Sequence, residues 1–175
     1  MTGSREFWDR TLPVESRQIA HVCHSLRMLG SLPSERELAT SEALSHAALE
    51  SWLVHVRLLA EFFLVKPART RKDFSARDFG WEGTSGIDTH ELVRFCELAS
   101  RHLVHFSRER APDDIFELDA EDVGYAALVV VSEKLLQLAR AFVAELETRE
   151  SPMAPQMRDC LEIASTALTN QPQVQ

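Results

Sequence analysis

Residues 34–65 place apolar side chains at three- and four-residue intervals for longer than any other stretch of the chain. Leu44, Ala48, Trp52, Val56, Leu59 and Phe63 form one stripe, and Leu49, Leu53, Ala60 and Leu64 widen it. At 1.5 Å per residue such a helix is about 48 Å long. A helix apolar around so much of its circumference must be covered by others. This segment therefore predicts a central helix in an all-α up-and-down bundle. Ser34 and Glu37 stand at capping-box spacing for its start, and Pro67 stops it.

Four further segments share the helical period. Residues 14–29 carry Ile19, Val22, Cys23, Leu26 and Leu29 on one side, with Pro13 before them and Gly30 just past the predicted end. A third helix opens at Asp88, paired with Glu91 as a cap, and continues to about residue 107. A fourth covers residues 120–147, with Leu128, Val131, Leu135, Leu138, Phe142 and Leu146 facing inward and Gly124 allowing close helix contact. A weaker fifth covers residues 155–168. One domain over residues 1–168, built from four to five helices, and a disordered tail over 169–175 are expected. Valine and threonine nowhere alternate with polar residues over a long run, so strands are not expected.

The connection between the second and third helices, residues 66–86, is longer than a plain bundle needs. Lys66, Arg69, Arg71, Lys72 and Arg77 make its first half basic, and Phe74, Phe79 and Trp81 follow. The expected role of these aromatics is to staple the loop onto the bundle. An acidic linker, APDDIFELDAED, joins helices three and four and lacks EF-hand spacing.

The formal net charge of −8 argues against broad non-specific nucleic-acid binding, though a local basic groove is compatible with it. Cys23, Cys96 and Cys160 are odd in number and far apart, as expected of buried reduced thiols in a cytoplasmic protein. The N-terminal residues MTGSREFWDR carry charge where a signal peptide needs an apolar run. No apolar run reaches the ~18–20 residues of a membrane span, so no membrane partner is expected. P-loop, GxGxxG, GxSxG and HExxH motifs are absent, and no cofactor is called for.

The third helix concentrates the ionisable groups. His90, Arg94, Glu97, Arg101, His105 and Arg108 fall on one side, and Leu92, Phe95, Cys96, Ala99, Leu103 and Phe106 on the other. His102 lies at the boundary. Histidine titrates near neutrality and arginine holds phosphate in a fork, so Arg101 and His105, one turn apart, suit phosphodiester binding and cleavage without a metal. A solvated face with ion pairs one turn apart accounts for the same pattern. His55 and Arg57 point to opposite sides of helix two. A satisfied core role is expected for His55, and an ion pair with Glu61 for Arg57.

The segments AALESWLVHVRLLAEFFL, ARDF and ELASRHLVHFSRER, within residues 44–110, resemble a group of small bacterial helical proteins akin to the HEPN superfamily. That resemblance implies a helical domain of toxin or defence systems, often a metal-independent ribonuclease whose composite site forms across a homodimer. The family's motif is an Arg and a His with four to six residues between them. Arg101 and His105 match it best, with three residues between them. Arg94, His102, Arg108, Lys66, Arg69 and Arg71 would then contact RNA or a nucleotide. A non-catalytic module joining a second copy or a partner is the alternative. A metal-binding bundle resembling the DinB-like proteins is a further one, drawing on His21 with His24 or His102 with His105, and His55 or a nearby acid as a third ligand. No residue is assigned as a metal ligand.

Overall fold

The computed structural model describes residues 14–30, 42–64, 74–83, 86–90, 92–96 and 125–169. The fold is an all-α, up-and-down helical bundle. Helices α1 (Val14–Gly30) and α2 (Glu42–Phe63) are followed by a 3₁₀ turn (Ala76–Phe79). The third helix, α3, is described over residues 90 and 92–96. Helices α4 (Tyr125–Thr148) and α5 (Ala154–Thr169) complete the set. No strand occurs among the described residues. Ser34, Glu37, Pro67, Gly124, the acidic linker and residues 170–175 lie outside them.

The four longer helices close a ring, with α1 packed on α2 and α5, and α4 packed on α5 and α2. Along the α1–α5 seam, Ser16 Oγ donates to Met153 Sδ, and Cys23 Sγ contacts Met157 Sδ. Further along, Gly30 meets Ala164 and Ala167. Residue numbers rise together on both sides, so α1 and α5 run parallel. Across α4–α5 the order reverses: Arg158 pairs with Glu147, and Arg140 Nη2 donates to Ser165 Oγ at 3.1 Å.

Each apolar stripe expected from the sequence and described here faces the core. Ile19, Val22, Cys23, Leu26 and Leu29 of α1 are buried, as are Trp52, Val56, Leu59 and Phe63 of α2 and all six inward positions of α4. One expectation needs correction. Gly30 is the last residue of α1 rather than a cap beyond it, and its function is close approach. A Cβ on Gly30 would lie 2.8 Å from Ala167 Cβ and 3.2 Å from the Ala164 backbone.

The α4–α5 reversal turns on Glu150, whose φ of 54° is left-handed. The Glu150 amide donates to the Glu147 carbonyl at 2.9 Å, and the Ser151 amide to the Leu146 carbonyl at 2.8 Å. This is the Schellman arrangement, which glycine fills at lowest strain. Pro152 follows and prevents the helix from continuing.

The aromatic loop is stapled as expected. The Asp78 carboxylate accepts from the Ser75 amide at 2.8 Å and from the Ser75 hydroxyl at 3.2 Å, closing the 3₁₀ turn. Gly80 then turns the chain with φ 85°, and the Arg149 side chain lies over it where a Cβ would stand. Arg149 is held in turn by Glu145 at 2.5 Å. Phe79 packs edge-on to Phe62 and Phe142, Phe74 stacks on Phe62, and Trp81 meets Phe142 at 5.8 Å.

Two substitutions test these backbone roles. Gly30→Val forces α1 and α5 apart and is expected to lower stability by about 1–3 kcal/mol in urea unfolding. Glu150→Gly relieves the left-handed strain and is expected to raise stability by about 0.5–1 kcal/mol in the same assay.

Candidate functional site

Helix α3 begins as its sequence predicts. Asp88 caps it, its Oδ1 accepting from the His90 amide at 3.0 Å. The Val93 amide donates to the Thr89 carbonyl at 3.0 Å, so the helical ladder starts within that first turn. Leu92 and Phe95 are buried, and Phe95 meets Trp52 of α2 edge-on at 5.8 Å. His90 and Arg94 are exposed. The two-faced character read from the sequence is therefore present over this turn. Arg101, His102, His105 and Arg108 lie outside the described residues, as do Lys66, Arg69 and Arg71.

Arg77 is the described member of the basic loop, and it is exposed on the 3₁₀ turn. The neighbouring aromatics are occupied by packing. Trp81 is 6% exposed, and Phe74 and Phe79 are half-buried against Phe62. A ring held this way is not presented for stacking on a nucleic-acid base.

Arg57 and Glu61 form the expected ion pair at 2.8 Å. His55 is half-buried at the rim, not in the core as expected. Its Nδ1 lies 3.2 Å from Ser25 Oγ, which gives that buried hydroxyl its partner. Its ring also meets His24 of α1 edge-on, 5.1 Å between centroids. The sequence pairs His24 with His21 one turn away, whereas the fold pairs it with His55 on another helix. Three side chains drawn from His, Cys, Asp and Glu nowhere converge on one point among the described residues. The His21, His24 and His55 set therefore does not assemble into the three-ligand site considered from the sequence.

A second cluster escaped the sequence reading altogether. Cys23 Sγ lies 3.6 Å from Met157 Sδ and 3.7 Å from the Gln156 carbonyl, inside the α1–α5 seam. Cys160 stands one turn beyond Met157 on the same side of α5. Burial, and then the Cys160 thiol, push the Cys23 thiol far above its ordinary range. Cys23 and Cys160 are both free and buried.

No family model, curated protein or solved structure matches the chain. No described helix is long and apolar enough to cross a membrane.

Burial lowers the His55 pKa below its ordinary 6.5, and the charge of nearby His24 lowers it further. Below that value the unfolded chain binds this proton more readily than the folded one. Stability is then retained above about pH 6.5 and falls as the pH drops toward the folded value. His55→Gln removes this contribution. Urea midpoints measured from pH 7.5 to 5 are expected to fall less steeply in His55→Gln than in the parent.

Proposed function

We propose that the protein is a HEPN-like helical protein, dimeric and cytoplasmic, that binds RNA or a nucleotide along the exposed face of the third helix. The supporting observation is the start of α3, where His90 and Arg94 are exposed while Leu92 and Phe95 are buried. Arg101 and His105 follow Arg94 by 7 and 11 residues, which are two and three helical turns. In sequence they share its side. Arg94, His102, Arg108, Lys66, Arg69 and Arg71 supply further cationic or titratable groups for phosphate oxygens.

In this reading His105 exchanges a proton with the scissile phosphodiester, and Arg101 stabilises the negative charge that builds on phosphorus. The chemistry is metal-independent ribonuclease action in a toxin or defence setting. The resemblance within residues 44–110 is its source, and the exposed cationic start of α3 agrees with it.

A second reading has its own observation. Val54 and Leu58, one turn apart on α2, are 43% and 50% exposed. Such a pair suits a non-catalytic module that docks a second copy or another protein. It also suits a dimeric HEPN-like protein, so the chemistry separates the two readings.

Single-stranded RNA incubated with the protein and a chelator is expected to be cut. General acid–base catalysis contributes about 10²–10⁴-fold, so Arg101→Ala and His105→Ala should each slow cutting by about 100-fold or more. Absence of both binding and cutting in the parent, with partner binding intact in the double variant, would overturn the ribonuclease reading in favour of the module.

A further inference from the structure

We propose that Cys23, Cys160 and Met157 form a three-sulfur site for a single Cu(I) ion in the α1–α5 seam. Three observations converge on it. The Cys23 and Met157 sulfurs are 3.6 Å apart. Cys160 stands one turn from Met157 on the same side of α5. All three side chains are buried, with exposures of 4%, 2% and 0% for Cys23, Cys160 and Met157.

The donor set selects the ion. Thiolate and thioether sulfur are soft ligands, and together they favour Cu(I) over zinc, which prefers four thiolate, imidazole or carboxylate donors. Bonds of about 2.3 Å to three sulfurs in a plane place those sulfurs roughly 4 Å apart. The observed separation asks for a shift of a few tenths of an ångström. Rotation about the side-chain torsions of Met157 can supply it, because methionine is long and unbranched.

Gln156, whose carbonyl lies 3.7 Å from Cys23 Sγ, is an exposed residue, and Arg27 stands exposed one turn along α1. Binding replaces protons with metal. One Cu(I) and two thiols give one Cu(I) bis-thiolate with a thioether ligand and two protons released to solvent, and no electron is transferred. The apolar surroundings disfavour free thiolates, so the charge of the metal is what makes their deprotonation favourable.

The test is an anaerobic titration of the reduced full-length protein against the coloured Cu(I)–bicinchoninate complex. Transfer of one copper per chain, with release of two protons in weakly buffered solution, is expected. Met157→Leu conserves volume and removes the thioether, and it is expected to weaken retention by about tenfold or more. Cys23→Ala with Cys160→Ala should abolish it, and Cys96→Ser on α3 should leave it unchanged. Circular dichroism of each variant checks that the helices remain. Failure of the parent to withdraw copper from an equimolar chelator overturns the proposal. So does equal copper uptake by the double alanine variant. Because the parent titration requires no substitution, the result does not depend on the variants folding.

Discussion

Phe142 is where the bundle is tied together. Its ring meets Phe62 and Phe63 of α2, Phe79 of the 3₁₀ turn, and Trp81, all at centroid separations between 5.4 and 5.8 Å. These contacts are edge-to-face, which sets the positive ring edge against a negative face. Each is worth about 0.5–1.5 kcal/mol beyond the area it buries. The consequence reaches beyond stability. With Phe79 and Trp81 held, Gly80 turns beneath Arg149, and the chain is led toward the Asp88 cap. From that cap α3 sets off with Phe95 against Trp52.

The seam between α1 and α5 works by a different rule. The aromatic cluster fills space with large rings, whereas this seam brings backbones together over Gly30, Ala164 and Ala167. Close approach leaves room for narrow side chains, and sulfur fills it. Cys23, Met157 and Cys160 are soft and polarizable, so they pack well where a branched residue would overfill. The seam joins residues more than 130 positions apart in the sequence, as Cys23 and Met157 show. It therefore closes the ring of helices, and the chain entropy of that closure is recovered from packing rather than from salt links. The Arg158–Glu147 pair on the neighbouring α4–α5 seam is half-exposed, and exposed pairs contribute little.

How much of this was legible in the sequence depends on the range of the interaction. The stripes of α1, α2 and α4 were legible because burial repeats at the helical period within one segment. The Asp88 cap was legible because a cap and its amide are two residues apart. The Arg57–Glu61 pair followed from one-turn spacing. Contacts between helices were not legible. His24 lies against His55, and Cys23 against Met157, because of the register of one helix on another, which periodicity within a segment does not encode. Gly30 looked like a terminator because glycine commonly follows helices, and its true constraint is carried by α5. Glu150 was missed for the opposite reason. A residue at left-handed φ usually announces itself as glycine, and here two backbone hydrogen bonds hold a glutamate there.

The two places where chemistry is proposed are therefore built on opposite terms. On α3, Leu92 and Phe95 anchor one side, and His90 and Arg94 on the other side are exposed. Cationic and titratable groups on such a face are chosen with little cost to folding, because substitutions at exposed positions usually shift stability by less than about 0.5 kcal/mol. A surface of that kind suits a ligand whose identity is read by charge. The sulfur cluster has no such freedom. Each of its atoms is part of the seam that closes the bundle, so occupancy by a metal and stability of the fold are one linked equilibrium. An ion bound there tightens α1 against α5, and a sulfur lost there loosens them. Chemistry in the seam therefore cannot change without disturbing the fold.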